Sequence, residues 1–216
     1  MKILVTESQY RKILKEEKEQ KIFRVPDLKF FHENEWEAWK ILQKVLESRG
    51  NPPYTIGGNL DLEGTPIESL GNLKSVGGYL WLRYTPIKSL GSLQSVGGNL
   101  DLRLTEIESL GNLTSVGGDL DLEKTPIKSL GNLTSVGRNL NLKRTPIESL
   151  GNLQSVGGHL DLENTPIKSL GNLISVRRNL YLHRTPLSKK YTERSTLFVA
   201  TDQIRQMVDV GGGIIL

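Results

Sequence analysis

The chain has 216 residues, a formal charge of +4 from 28 Lys and Arg against 24 Asp and Glu, 22 glycines and no cysteine. Without cysteine there is no disulfide framework, thiolate metal site or thiol nucleophile, and so small a charge excess is no argument for nucleic acid. No stretch approaches the ~18 apolar residues of a membrane span, and Met1-Lys2-Ile3-Leu4-Val5 turns polar at Thr6, too early for a secretory signal; the expectation is an intracellular protein.

Residues 1–55 do not repeat and read as an N-terminal helical arm and cap. Thr6 and Gln9 fit a capping box ahead of a thin apolar stripe of Tyr10, Ile13 and Leu14. A second helix is expected from about Asn34, carrying Trp36, Trp39, Leu42, Val45 and Leu46 and ending at Gly50 before Pro52-Pro53. Its tryptophans suit a lid over the residues that begin at Ile56.

From Ile56 the chain repeats every 20 residues without an insertion: IGGNLDLEGTPIESLGNLKS, VGGYLWLRYTPIKSLGSLQS, VGGNLDLRLTEIESLGNLTS and onward, dissolving after Leu187. Residues 56–187 thus hold six full copies and one partial copy. The alternation Leu60-Asp61-Leu62 predicts a short strand with one buried face, and the later apolar residues at every third position suit tight turns. Each copy has no room for a strand plus a long helix, and a lone coil cannot offset its ordering entropy, so the coils must stack and the stack must be capped. The predicted fold is a mainly β repeat solenoid with a parallel sheet on one face, tight turns elsewhere, an N-terminal helical cap and a C-terminal α/β cap.

The register L-x-L-x-x-T-x-I-x-x-L, here Leu60, Leu62, Thr65, Ile67 and Leu70, resembles the leucine-rich repeat, and SLGNLxSVGGNLDL is similar to receptor L-domain-like solenoids. The resemblance implies a protein-binding scaffold. Threonine stands where that family has its asparagine ladder, and its hydroxyl is expected to take over the ladder role. The opening MKILVTESQ resembles the openings of phage-encoded proteins, so a virion stands as the alternative location to the cell interior.

Residues 188–216 read as the C-terminal cap, with Asp202 as the start of a short helix holding Ile204, Met207 and Val208, then Gly211-Gly212-Gly213 and a closing strand Ile214-Ile215-Leu216.

The Gly-Gly pairs precede a strand, the reverse of a phosphate loop, and mark corners of close backbone approach where positive φ is not required. The column Glu68, Lys88, Glu108, Lys128, Glu148, Lys168 alternates in sign and predicts a favourable contact at every coil boundary. Comparing copies leaves four positions free to vary, those of Asn59, Asp61, Glu63 and Gly64. The second coil fills them with Tyr79, Trp81, Arg83 and Tyr84, and the third adds Arg103 and Leu104. Tyr, Trp and Arg dominate interface hot spots, so these six residues are the candidate protein- or peptide-binding patch.

Residues 56–135 carry 6 basic and 9 acidic side chains, net −3, whereas residues 136–187 carry 7 and 3, net +4. Arg138, Lys143, Arg144, Arg177, Arg178, Tyr181, His183 and Arg184 form a secondary basic patch, where a nucleic acid or another anionic polymer is the lesser expectation. Asp101, Asp119, Asp121 and Glu123 gather carboxylates on adjoining strands, but a flat face lacks the wrapping loop a Ca²⁺ site uses. No nucleophile-base constellation breaks the repeat. The reading is a non-enzymatic scaffold without metal or cofactor that binds a macromolecule through its strand face. The alternative is a structural or assembly subunit using its terminal segments, and a homo-oligomer is compatible with either.

Overall fold

The computed structural model describes residues 22–30, 33–192 and 197–216; the helix expected after Thr6 lies outside them. The chain forms a stack of 20-residue coils bounded by two parallel β-sheets, which meet at the Gly-Gly corner. The expectation of one strand per coil falls short: each coil contributes two. Ser95–Val96 and its equivalents form a nine-stranded serine sheet, and Leu100–Asp101 and its equivalents an eight-stranded leucine sheet. The second strand escapes pattern reading because it is only two residues long over most of the stack, too short to show an alternation. Equivalent residues pair across the boundaries, Val96 with Val116 and Leu100 with Leu120.

The interior is one continuous column of Leu, Ile and Val, closed to solvent from Ile56 to Val210. In each coil, Leu60, Leu62, Ile67, Leu70, Leu73 and Val76 or their equivalents point inward, as the repeat predicts. The threonine column behaves differently from a ladder. Each hydroxyl, from Thr65 to Thr185, donates to the carbonyl three residues earlier in its own coil at 2.6–2.8 Å. Threonine therefore closes a turn within the coil, and none of these bonds joins one coil to another.

The corner glycines lie outside the positive-φ region, as anticipated, and close backbone approach favours them instead, although Arg138, Arg177 and Arg178 replace them in the late coils. A Cβ on Gly97 would stand 2.1 Å from the Gly77 carbonyl oxygen, and one on Gly117 would stand 2.2 Å from that of Gly97. Positive φ belongs instead to the Ser-Leu-Gly-Asn turn, where Gly71 and its five equivalents lie at φ 56–59° and each Gly N–H is held by the hydroxyl two residues before it.

On the third side the coils join in twos. Bridges link Ser109 to Ser129 and Ser149 to Ser169, with ion pairs Glu108–Lys128 and Glu148–Lys168 both at 2.8 Å. Lys88 turns to Glu106 at 3.2 Å rather than to Glu68. The alternating column therefore satisfies coils in pairs and not every boundary, giving the structure a 40-residue period inside the 20-residue one.

Both ends are built from more than helices. Strand β1 (Phe23–Val25) adds to the serine sheet ahead of β2 (Tyr54–Ile56), so the stack begins before Ile56. Helix α1 (Glu35–Glu47) is capped by Asn34, whose side chain accepts from the Glu37 N–H, and buries Ala38, Trp39, Leu42 and Leu46 over the first coil. At the far end, α2 (Pro186–Thr192) and α3 (Leu197–Arg205) form a detour before the repeat resumes. Asp202 lies inside α3 and does not begin it. The strands Asp209–Val210 and Ile214–Ile215 close the two sheets, and Gly211-Gly212 is one more corner between them.

Each edge carries a charged side chain in place of the missing coil. The Glu35 carboxylate accepts the Asp61 N–H at 2.5 Å, and the Arg205 guanidinium donates to the Val210 and Gly212 carbonyls at 2.5 and 2.7 Å. Neither role has a sequence signal, since nothing in the spacing ties either residue to a strand edge.

Gly117→Ala should lower stability by about 3 kcal/mol through overpacking of the corner, whereas Gly64→Ala, at φ 64° with nothing within 4 Å of the added Cβ, should cost only about 1 kcal/mol; urea unfolding measures both. Arg205→Ala should cost roughly 1.5–3 kcal/mol locally, read as faster amide exchange in residues 209–216 with the central coils unchanged.

Candidate functional site

The outer face of the leucine sheet presents the four columns that vary between copies, and the structure shows that two of them are not free. In the first, the side chain of each coil accepts a backbone N–H of the next. Asn59 holds Tyr79, Asn99 holds Asp119, Asp119 holds Asn139, Asn139 holds His159, and Asn179 holds Gly213, at 2.8–3.1 Å. His159 takes its turn through Nδ1, which accepts the Asn179 N–H at 3.2 Å. This column, and not the threonines, is the ladder between coils. Its signal is present in the sequence as asparagine in alternate copies: Asn59, Asn99, Asn139 and Asn179.

In the second column, Asp61, Asp101, Asp121, Asn141 and Asp161 each accept the N–H two residues later at 2.9–3.1 Å, an Asx turn at the strand end. Burial raises the carboxyls of Asp121 and Asp161 above their ordinary range, with the Glu123 and Glu163 amides and the cations Arg103 and Lys143 pulling the other way.

The fourth column is left-handed throughout. Gly64, Tyr84, Leu104, Lys124, Arg144, Asn164 and Arg184 lie at φ 56–64°. The strain of that region for a side chain, about 1 kcal/mol each, is borne at six consecutive positions by whatever residue stands there.

The second coil is the exception in the first two columns. Tyr79 stands in the ladder column and Trp81 in the Asx column, and neither supplies the acceptor its neighbours do. Their rings stack instead, centroids 4.1 Å apart and planes 17° from parallel. Beside them the Arg83 guanidinium lies 4.4 Å over the Tyr84 ring and donates to its hydroxyl at 2.6 Å. Arg83 Nε is buried without a hydrogen-bond partner among the described residues. Tyr84 is 52% and Leu104 44% exposed, high values for such side chains. The structure thus brings Tyr79, Trp81, Arg83, Tyr84 and Leu104 onto adjoining positions of one face. Arg103 is committed within it, with Nε donating to Asp101 at 3.0 Å and standing 3.5 Å from Asp121. Of the carboxylates that the sequence gathers into one cluster, Asp101 and Asp121 are therefore bridged by a cation.

A cavity of about 400 Å³ opens beside Trp81, bounded by Glu63, Asp101, Asp119 and Asp121 with Arg103 on its lining. A larger trough, about 730 Å³, runs along the serine sheet because its serine and glycine columns carry little side chain. It runs with the repeat without a break until its end and concentrates no chemistry.

The basic patch is divided. Lys143 is paired with Glu163 and Arg144 lies 3.6 Å from Glu123, while Tyr181 accepts from the Asn179 side chain at 3.1 Å and tilts against His159. Arg138, Arg177 and Arg178 occupy the exposed corner between the sheets, and His183 and Arg184 the exposed turn after the last repeat strand. Among the described residues no helix is long and apolar enough to cross a membrane. No protein-family model, curated protein or solved structure matches the chain.

Asp161→Asn keeps the turn acceptor, as Asn141 does in the same column, and removes a charge that burial disfavours. Because the folded carboxyl lies above its ordinary value of 3.8, the charge costs stability at neutral pH and the cost disappears as acid protonates it. The variant should therefore be at least as stable as wild type at pH about 7, with its advantage lost below the ordinary carboxylate pKa; urea midpoints across that range decide it.

Proposed function

We propose that this chain is a non-enzymatic binding module that recognises a protein partner through the leucine-sheet face at its second coil. The observation that carries the reading is the sacrifice made there. Every other full coil fills its ladder and Asx columns with side chains that satisfy backbone amides, and the second alone gives up both for stacked rings. A hydrogen bond of this kind is worth about 0.5–1.5 kcal/mol, and the half-buried rings of Tyr79 and Trp81, stacked on the outer face of the sheet, return nothing to the interior of the coil. Such a substitution makes sense where the rings have a second surface to meet.

The L-x-L-x-x-T-x-I-x-x-L register supports the same reading by its resemblance to the leucine-rich repeat, whose strand face is a binding surface. The serine strand of each coil stands outside that register. Assembly through the ends is the weaker alternative, because Glu35 and Arg205 already occupy groups that a stacked neighbour would use.

Restoring the second coil to the pattern separates binding from folding. The double change Tyr79→Asn with Trp81→Asn should leave the melting temperature unchanged or higher, since both acceptors return. It should weaken binding to a partner purified by capture on the wild-type protein by about 2 kcal/mol or more, roughly 30-fold. Calorimetric titration reads the second effect, and unchanged affinity would remove the strand-face assignment.

A further inference from the structure

The cavity beside Trp81 has an aromatic wall and a lining of Glu63, Asp101, Asp119 and Asp121 against Arg103, net −3. We propose that it receives a lysine or arginine side chain from an extended basic segment of the partner protein. The inference rests on the strand-face reading and assigns the chemistry of what that face recognises.

The carboxylates differ in how far they are already used. Asp101 is neutralised by Arg103, whose Nε and terminal nitrogen both donate to it. Asp121 accepts the Glu123 N–H and the Asn141 side chain, and Arg103 stands 3.5 Å away. Asp119 holds two bonds from Asn139 on one oxygen, and neither Asp119 nor Glu63 forms an ion pair among the described residues. The negative charge is therefore left over at Asp119 and Glu63, which line the same cavity as Trp81.

A cation held between an aromatic face and carboxylates gains from both the ring quadrupole and the negative charge. Burial raises the Asp121 carboxyl, so an arriving cation would stabilise a charge the face now holds at a cost. A metal ion is the poorer occupant: Arg103 bridges Asp101 and Asp121, the sheet is flat, and no group of three metal-ligand side chains is present among the described residues. The surrounding field has the same sign, because residues 56–135 are net −3 and steer cations toward this half of the solenoid.

The test uses a fluorescein-labelled decapeptide of alternating lysine and serine, its lysine-acetylated counterpart, and the full chain, with binding read by anisotropy at low salt. Wild type should bind the lysine peptide and not the acetylated one. Asp119→Asn with Asp121→Asn should weaken binding at least tenfold while melting as wild type does, since Asn139 and Asn141 occupy the same columns. Trp81→Leu should weaken it as well. Equal binding of the two peptides, or equal loss on Glu108→Gln with Glu148→Gln on the third side, would overturn the inference. In that event the strand-face reading still stands if the coil-two double variant loses its partner, and both fall if it does not.

Discussion

The contact on which this molecule depends is backbone against backbone at the glycine corner. Each corner N–H donates to the valine carbonyl of the coil before it, Gly97 to Val76 and Gly117 to Val96, both at 2.8 Å. At that approach a Cβ has nowhere to go. The corner fixes the position of one coil over the next, and the two sheets leave it in fixed directions, so the columns keep register even past the helical detour of the last coil, where Val210 still pairs with Val176 and Ile214 with Leu180. The unbroken 20-residue spacing and the coincidence of all inward side chains in one core are consequences of that contact. Arg177 is the one side chain in this column, and the corner after it is again closed, since a Cβ on Gly211 would stand 2.4 Å from the Arg177 oxygen.

The same contact dictates the chemistry of the ends. At the corner the glycine amides point back to the carbonyls of the coil before, Gly211 to Val176 and Gly212 to Arg178, so the Val210 and Gly212 carbonyls of the last corner have no following coil to accept from; Arg205 donates to both. At the front of the leucine sheet the Asp61 amide has no preceding coil to donate to, and Glu35 supplies its acceptor. Each end thus meets open backbone groups of its edge coil with one charged side chain, an anion on an amide at the front and a cation on carbonyls at the back.

The stack itself is legible in the sequence because periodicity is a signal that accumulates over copies: Leu60, Leu62, Ile67 and Leu70 recur until no other arrangement accommodates them. The helix from Asn34 is legible through its cap and its apolar spacing. What escapes does so for definable reasons. A two-residue strand such as Ser95–Val96 has no periodicity of its own. Glu35 and Arg205 act once each, across 26 residues in the first case and through a carbonyl pair in the second, so no repetition reveals them. Columns that vary look free, although Asn, Asp and His are interchangeable there as acceptors and the variation hides a shared duty. Recognising that duty is what makes Tyr79 and Trp81 stand out, since they depart from a requirement and not merely from a consensus.

The left-handed column has an evolutionary consequence. Because the backbone is held at nearly the same φ by Gly64, Tyr84, Leu104, Lys124, Arg144, Asn164 and Arg184 alike, the conformational penalty is similar for side chains unbranched at Cβ, such as tyrosine, leucine, lysine and arginine, and nearly cancels when one of these replaces another. Glycine aside, exchanging a tyrosine for a lysine or a leucine there alters what the surface displays without altering how well the coil closes. The solenoid thus carries a row of sites where selection can act on recognition alone, one per coil, at the regular interval set by the corners.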